Sequence, residues 1–337
     1  MHIRVATLNV WALPEPLAPK IGARMRAIGE RLAGLELDVA AFQEVWTVPA
    51  RHELVAAGLA AGLVHAWHHK PSYGGGLLVL SRLPIRSARF DEFSVRGDPG
   101  RPDHPDYYGG KGWATLELMT DAGPLAFVDT HLHARYSRDV SHEYRSQRVG
   151  QIVELGLASR ELRSPVVAVG DLNLVDTDPE HAILTGLTGL RDIAVELATP
   201  DATVLRGNPY RAESSKPDRR VDYVLARDGV AAGIVPLSSR RIFDERLELD
   251  GAAASVSNHA GVLAELEIVP GAGRPTPPPD AQAIARGPES VSARRRSRRS
   301  ACAIRAFRAG ACCAPRSRPE RCSPSPRAWG SRSSPRC

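Results

Sequence analysis

The first 270 residues of this 337-residue chain contain no cysteine, because all five cysteines fall in residues 271–337. The larger part of the chain therefore has no disulfide framework and no thiolate for catalysis or metal binding. Long apolar runs are also missing: no stretch approaches the roughly 20 consecutive apolar residues of a membrane-spanning helix. Residues 1–5 lack a secretion-signal pattern and are interpreted as the start of a strand. We expect the protein in the cytoplasm or at the periphery of a membrane.

An excess of basic residues is missing from the same part of the chain, although the whole chain has a net charge of +6. Residues 271–337 hold 15 arginines, no lysine and three acidic residues, whereas residues 1–270 hold 29 basic and 35 acidic residues. A protein that binds duplex nucleic acid usually clusters lysine and arginine on its folded surface to neutralise phosphates. The acidic balance of residues 1–270 therefore disfavours nucleic acid as a partner.

The composition changes after Pro270 to a sequence rich in arginine, serine and proline, with very few leucines, isoleucines or valines. Such a segment buries too little apolar surface to offset the entropy lost on ordering. We therefore predict one folded domain over residues 1–270 and a disordered tail over residues 271–337. An alternative role for the tail is a basic arm that contacts nucleic acid or an anionic membrane.

Hydrophobic periodicity predicts an α/β domain. Apolar residues recur at spacings of three and four between residues 20 and 37, as in an amphipathic helix, and further helices are predicted at 51–62 and 139–162. Strands are predicted at 3–10, 39–42, 75–80, 85–95, 112–119, 124–131, 166–169, 220–226, 233–238 and 259–268. Polar clusters stand at the ends of several of these strands, which is where open α/β sheets build their sites.

Five short polar motifs follow these strand ends in chain order. They are Thr7-Leu8-Asn9-Val10-Trp11, Phe42-Gln43-Glu44-Val45-Trp46, Asp129-Thr130-His131-Leu132-His133, Gly170-Asp171-Leu172-Asn173, and Val221-Asp222-Tyr223-Val224 together with Ser257-Asn258-His259. Each motif alone is common in proteins, but the ordered set is specific.

The ordered set resembles the endonuclease/exonuclease/phosphatase superfamily over about residues 3–269. The connecting sequence is most similar to the neutral sphingomyelinases, as in Arg24-Met25-Arg26, Gly110-Lys111 and the stretch from Thr130 to Tyr136. The resemblance implies two packed β-sheets with helices on both outer faces, a four-layer α/β/β/α sandwich. It also implies a phosphodiester hydrolase that depends on Mg²⁺, with Mn²⁺ as an alternative ion, and makes residues 1–270 the catalytic domain.

Metal binding is assigned to Glu44, Asn9 and Asn258. Mg²⁺ prefers oxygen ligands and takes one or two carboxylates together with substrate phosphate, and Glu44 follows a buried strand that suits this role. Asn9 can support the metal shell, or Asp171, through its amide. The family has aspartate where this chain has Asn258, so a charge is lost there. This substitution predicts weaker metal binding and slower turnover.

Catalysis is assigned to His259 as general base, with Asp222 orienting its imidazole. The resemblance gives Asp171 the positioning of the attacking water and Asn173 a hydrogen bond to the substrate phosphate. His131 is interpreted as a second imidazole that contacts a phosphate oxygen or assists the leaving alkoxide.

Several neighbouring residues have two interpretations. His133 lies two residues beyond His131, so it either faces the same side of the strand or is a structural histidine. Lys111 is interpreted as a solvated residue, with an approach to the phosphate as the alternative. Trp11, Trp46 and Phe243 are candidates for peripheral contact with lipid.

These observations favour cleavage of sphingomyelin or a related phospholipid by in-line attack of a His-activated water. One alternative is a nuclease or other soluble phosphodiesterase or phosphatase on the same scaffold. The other is a weakened, non-catalytic binding protein, for which Asn258 is the only sequence support. The oligomeric state is left open.

Overall fold

The computed structural model describes residues 1–69, 74–136, 143–211 and 217–285, which all lie within one compact unit, Met1–Val291. Its strands are β1 (His2–Asn9), β2 (Val39–Gln43), β3 (His65–His68), β4 (Leu78–Ser81), β5 (Ile85–Glu92), β6 (Gly112–Thr120), β7 (Gly123–His131), β8 (Val166–Asp171), β9 (Arg191–Asp192), β10 (Asp222–Arg227), β11 (Ala232–Ile242), β12 (Leu247–Leu249), β13 (Ala252–Ala254) and β14 (Gly261–Pro270). Its α-helices are α1 (Ile21–Leu35), α2 (Val48–Ala60), α3 (Arg145–Arg160), α4 (Pro179–Thr188) and α5 (Ile193–Glu196).

Twelve of these strands form two six-stranded sheets. The first sheet has the order β11-β14-β1-β2-β4-β3 and the second has the order β5-β6-β7-β8-β10-β9. The central pairs β1–β2 and β7–β8 are parallel, whereas β14 and β10 run antiparallel to β1 and β8. An antiparallel strand begins where its neighbour ends, so β10 and β14 begin beside the carboxyl ends of the central strands.

The two sheets pack face to face, and the helices cover their outer faces. Alternate residues of β1 show the layering: Ile3 and Val5 join the core between the sheets, whereas Ala6 and Leu8 join the core under α1 and α2. A third core forms between the second sheet and helices α3 and α4. Burying a large aliphatic side chain contributes roughly 1.5–3 kcal/mol, so these three layers hold the sandwich together. The four-layer α/β/β/α prediction is confirmed.

Some elements differ from the sequence prediction. Helix α4 was not predicted, because it is short and its Gly186 and two threonines weaken the helical signal. The long predicted helix at 139–162 is described only from Arg145 to Arg160, and part of its predicted start lies outside the described residues. No helix in the described ranges combines the length and apolar character that crossing a bilayer requires.

Residues 271–285 lie against the domain that precedes them. The Asp280 amide donates to the Gly186 carbonyl at 2.8 Å, and the Arg160 guanidinium donates to the Pro277 carbonyl at 3.0 Å. These contacts join the first part of the predicted tail to α3 and α4. The rest of the predicted tail, residues 286–337, lies outside the described residues.

Candidate active site

The predicted site residues meet at one edge of the sandwich, where the central strands of both sheets end. Asn9 is the last residue of β1, His131 is the last of β7 and Asp171 is the last of β8. Asp222 is the first residue of β10 and lies opposite Asp171 in the sheet register, as His131 does on the other side. Glu44 follows β2 directly.

Left-handed backbone conformations redirect the chain at this edge. Glu44 has a φ of 59° and Asn173 a φ of 51°, each shortly after its strand ends. Residues other than glycine adopt this conformation rarely, and such strain is concentrated at functional sites. The turns end the strands abruptly and leave both side chains at the rim of the sandwich.

An amide joins the two carboxylates of the site across the sheets. The Asn9 Nδ2 group donates to Glu44 Oε1 at 2.9 Å and to Asp171 Oδ2 at 3.0 Å. The Asn9 Oδ1 atom accepts from the Trp11 amide at 3.0 Å. Asn9 therefore aligns the carboxylates, and its own oxygen is already hydrogen-bonded.

A group of oxygen and nitrogen atoms suited to a metal surrounds this amide. One ligand atom from each of Glu44, His131 and Asp171 lies within 4.8 Å of the others, and Asp171, Asp222 and His259 form a second such group. Paired carboxylate oxygens are the donors that a hard divalent cation such as Mg²⁺ prefers.

Burial and charge repulsion disfavour ionisation of these carboxylates. Burial raises the pKa of Glu44, although the Asn9 hydrogen bond opposes the shift. Burial and then the nearby Asp222 carboxylate raise the pKa of Asp171 to about 6. A cation at this position would stabilise both ionised forms, so the residues fit the metal that the sequence predicted.

The imidazole of His259 lies within hydrogen-bond distance of a carboxylate. Its Nδ1 atom lies 2.9 Å from Asp222 Oδ2, and its Nε2 atom lies 3.9 Å from Asp171 Oδ2. Burial alone would lower the pKa of the imidazole, but Asp222 and Asp171 raise it to about 9. The structure thus brings the predicted base and its partner together, with Nε2 facing the carboxylate cluster.

Three nitrogen-bearing side chains converge beside Asp171. The His131 Nε2 atom lies 3.1 Å from Asn173 Nδ2 and 2.9 Å from Lys111 Nζ. Burial and then the Lys111 charge lower the pKa of His131 well below its ordinary value, which keeps this imidazole neutral. The backbone N–H of Asn173 donates to Asp171 Oδ1 at 2.9 Å, which fixes the turn.

Lys111 is buried, so its interpretation as a solvated residue is wrong. It is 4% exposed, and its Nζ lies 2.8 Å from Asp106 Oδ2 and donates to the Leu132 carbonyl at 2.8 Å. Burial alone would raise the pKa of Asp106, but Lys111 and two histidines hold it at about 2. Asp106 was missed because it lies in a short 3-10 helix, Pro105–Tyr107, which is too short to give a periodic signal.

His133 does not join this group. Its ring is buried and stacks on Tyr144 at 4.1 Å between centroids, and its Nδ1 lies 3.0 Å from the Ala134 carbonyl oxygen. These contacts favour the structural interpretation.

Asn258 lies beside His259, and its Oδ1 accepts from the Ser257 hydroxyl at 3.3 Å. Within the described ranges, no hydrogen bond links Asn258 to the carboxylate cluster.

The three aromatic candidates for lipid contact differ in burial. Phe243 is 5% exposed and is part of the core. Trp11 packs against Tyr210 with ring centroids 5.3 Å apart, and Trp46 packs over Gly109. Trp11 and Trp46 are only partly buried, so these two, unlike Phe243, retain surface near the site.

A buried arginine holds the segments around the site. The Arg24 guanidinium donates to the carbonyls of Val10 at 2.8 Å, Trp11 at 2.9 Å, Pro19 at 2.9 Å and Val256 at 3.1 Å. In the sequence, Arg24 stands in the motif Arg24-Met25-Arg26. Its position within the apolar stripe of α1 was the signal that it is buried.

The protein has two packed sheets, each with a parallel pair of strands at its centre, and carboxylate, amide and imidazole groups lie together at one edge of both sheets. This arrangement is that of the endonuclease/exonuclease/phosphatase type. Residues 6–259 match the Endonuclease/Exonuclease/phosphatase family, and the chain belongs to that family.

Curated relatives in this family carry sphingolipid names. The Inositol phosphosphingolipids phospholipase C of Saccharomyces cerevisiae is 30% identical, with 80% of this chain aligned to 64% of the relative. The human Sphingomyelin phosphodiesterase 2 is also 30% identical, with 67% of this chain aligned to 56% of the relative. The chain thus spans less than two thirds of the length of these proteins.

Solved structures share the fold. A Staphylococcus aureus beta toxin mutant with bound magnesium ions has a TM-score of 0.60 and 15% identity, over 78% of this chain and 99% of that one. The D. rerio TDP2 complex with a single-strand DNA product has a TM-score of 0.60 and 19% identity, over 79% of this chain and 99% of that one. The fold alone therefore does not select a substrate.

Proposed function

We propose that this protein is a Mg²⁺-dependent phosphodiesterase that cleaves a phosphosphingolipid between the lipid and the phosphate. The observation that carries the proposal is the convergence of Glu44, Asp171, His131 and the His259–Asp222 pair at one edge. The names of the yeast and human relatives supply the lipid class. Residues 1–270 would form the catalytic domain, and a lipid substrate implies peripheral contact with a membrane.

Glu44 and Asp171 would hold the ion, with Asn9 keeping both carboxylates in place. Mn²⁺, another oxygen-binding divalent ion, would be the alternative. When bound, the ion would neutralise negative charge on the phosphate oxygens.

His259 would activate the attacking water. Because Nδ1 is bonded to Asp222, the Nε2 atom is the one that can accept a proton from water. Asp171 Oδ2 lies 3.9 Å from Nε2, so a water molecule beside both atoms would be held in place for attack on phosphorus. The Asp222 carboxylate would stabilise the imidazolium that forms.

Lys111, Asn173 and His131 would bind the phosphate. The Lys111 Nζ and Asn173 Nδ2 atoms lie 2.9 and 3.1 Å from the His131 Nε2 atom, so the three side chains form one cluster. Buried donors that are already in position stabilise the charge that develops on a phosphoryl oxygen, since no reorganisation is needed during the reaction.

A substrate panel tests this function. We expect the purified protein with Mg²⁺ to hydrolyse sphingolipid phosphodiesters and the generic diester bis-p-nitrophenyl phosphate, and to leave plasmid DNA intact. Lysophosphatidylcholine in the same panel shows whether the sphingoid part is needed. Faster cleavage of DNA than of lipid would favour the nuclease alternative. No hydrolysis of any diester, with or without Mg²⁺ or Mn²⁺, would favour the non-catalytic alternative.

A further inference from the structure

An open cavity of about 300 Å³ adjoins His259. The other residues of its lining are Leu205, Gly207, Asn208, Pro209, Asp218, Arg241, Phe243, Asp244, Glu245, Arg246, Ser255 and Ala260. This volume is at the lower end of the range for small-molecule sites. His259 belongs to the lining, whereas the other walls lie outside the carboxylate–imidazole cluster and have no role in the proposed hydrolysis.

The geometry of in-line displacement restricts what the cavity can hold. The attacking water and the leaving oxygen lie on opposite sides of phosphorus. If His259 activates the water, the lipid alkoxide departs on the side away from His259. The leaving lipid therefore does not enter a cavity on the His259 side. The headgroup stays on phosphorus at right angles to the line of attack, and it is the remaining part of the substrate that can reach this cavity.

Two side chains at one end of the cavity offer hydrogen bonds of opposite type. Asp218 Oδ1 accepts from the Arg206 amide at 2.7 Å, and Arg246 Nη2 donates to the Gly207 carbonyl at 3.1 Å. Both side chains are thus attached to adjacent residues of one turn. Both are also exposed, and within the described ranges no other hydrogen bond is made by their side chains.

The remaining charged groups of the cavity are paired with each other or with neighbours. Arg241 Nε donates to Asp244 Oδ2 at 2.7 Å, and Glu245 forms an ion pair with Arg31. These two acids already have arginine partners, so they attract a cationic ligand less strongly than unpaired acids would. Among the described residues that line the cavity, Phe243 is the aromatic one, and it is 5% exposed.

We propose that this cavity is the headgroup subsite and that it selects a polyhydroxylated headgroup, of the phosphoinositol type, over choline. The proposal rests on the function proposed above. A hydroxyl group both donates and accepts, so it can bond Asp218 and Arg246 together. A quaternary ammonium group does neither, and proteins recognise it with exposed aromatic faces, which this cavity lacks in its described lining.

The test compares two substrates with the same ceramide, one carrying phosphoinositol and one carrying phosphocholine, in identical mixed micelles with Mg²⁺. We expect kcat/KM to be at least about tenfold higher for the phosphoinositol lipid, which corresponds to one charged hydrogen bond. Asp218→Asn and Arg246→Gln should each reduce this ratio several-fold. Arg86→Gln is the control, since Arg86 is an exposed arginine paired with Glu117 on the second sheet.

Equal kcat/KM for both lipids, or an unchanged ratio in both cavity variants, would overturn the subsite and leave the phosphodiesterase function standing. A second measurement does not depend on lipid cleavage. Inositol 1-phosphate should inhibit hydrolysis of bis-p-nitrophenyl phosphate more strongly than phosphocholine does, and the cavity variants should remove the difference. If neither lipid is cleaved, the proposed lipid substrate is wrong, and equal inhibition by the two phosphate esters would then overturn the subsite as well.

Discussion

Glu44 has one carboxylate oxygen committed to the site and one left for a ligand. Its Oε1 accepts from Asn9, and no hydrogen bond to Oε2 exists among the described residues. The left-handed backbone at this position keeps the carboxylate at the edge of the first sheet. One oxygen held in place and one without a hydrogen-bond donor among the described residues are compatible with the proposed contact to a divalent ion.

Glu44→Gln tests this assignment because it preserves shape and removes charge. We expect the Mg²⁺ concentration for half-maximal activity to rise by roughly tenfold or more, since a direct carboxylate ligand is lost. The melting temperature in the absence of Mg²⁺ should stay within about a degree, because the Asn9 hydrogen bond can persist. An unchanged half-saturation point would remove Glu44 from the metal site.

If His259 is the general base, as proposed, the His259–Asp222 pair will determine the pH dependence of turnover. A general base works only when neutral, and the carboxylates beside His259 raise its pKa to about 9. Activity should therefore rise with pH toward this value, and a bound cation would move the rise to lower pH by offsetting the Asp171 charge. Asp222→Asn removes the main raising charge, so the rise in kcat/KM should shift to lower pH.

The same variant should also lower kcat by roughly 10²-fold or more, because the imidazole loses its orienting partner. His259→Ala should lower kcat similarly and abolish the pH-dependent rise. The measurement is kcat/KM for a generic diester from pH 5 to 10 at saturating Mg²⁺. A variant of Asp222 with wild-type kcat and an unmoved profile would show that the pair is not the base.

At the scale of elements, helix α1 is connected to the site through Arg24. Four carbonyl groups from three segments accept hydrogen bonds from its buried guanidinium. Two of those segments lead directly to Asn9 and His259. A planar group with five donors can bind divergent carbonyls in this way, whereas the single ammonium of lysine cannot.

Arg24→Lys should therefore destabilise the domain by roughly 3 kcal/mol, because buried carbonyls lose their partners. For a domain of this size, such a loss lowers the melting temperature by roughly 5–10 °C. Arg26→Lys is the matched control, since Arg26 is exposed on the same helix. Equal melting temperatures for the two variants would show that the Arg24 hydrogen bonds contribute little.

The elements that sequence predicted well are those with local patterns. Strands β1, β2, β7 and β8 were predicted because their apolar residues are continuous or alternate, and the polar motif after each strand marks its end. The burial of Lys111 could not be read in this way. Its environment is created by Asp106, His131 and Leu132, which the fold brings together from different segments.

At the scale of the whole molecule, the four-layer arrangement was predicted by resemblance, since periodicity gives the elements but not the pairing of two sheets. The segment after Pro270 shows where composition was insufficient. Proline- and glycine-rich residues 271–285 carry few apolar side chains, yet they attach to α3 and α4 through backbone hydrogen bonds. The amino-acid composition indicates how much apolar surface a segment can bury, but it does not indicate which hydrogen bonds its backbone makes.

Two truncations separate these contributions. Removing residues 286–337 should leave the melting temperature and hydrolysis unchanged, because that segment has few residues able to build a core. Removing residues 271–337 should lower the melting temperature by roughly a few degrees, since the hydrogen bonds to Gly186 and Arg160 are lost. Equal melting temperatures for both truncated proteins would show that residues 271–285 do not contribute to stability.

The Asn9 amide bridges Glu44 on one sheet and Asp171 on the other, so the proposed ion would lie on the seam of the sandwich. An ion that binds only when the two sheets are packed together stabilises the folded state. By mass action, the stability of the domain then depends on the concentration of the ion. At 100 times its dissociation constant, such a ligand adds about 2.7 kcal/mol to the free energy of unfolding. The melting temperature should therefore climb with the logarithm of Mg²⁺ concentration, and in Glu44→Gln this rise should begin only at roughly tenfold higher Mg²⁺ or above. The same ion would then take part in hydrolysis and hold the two sheets together.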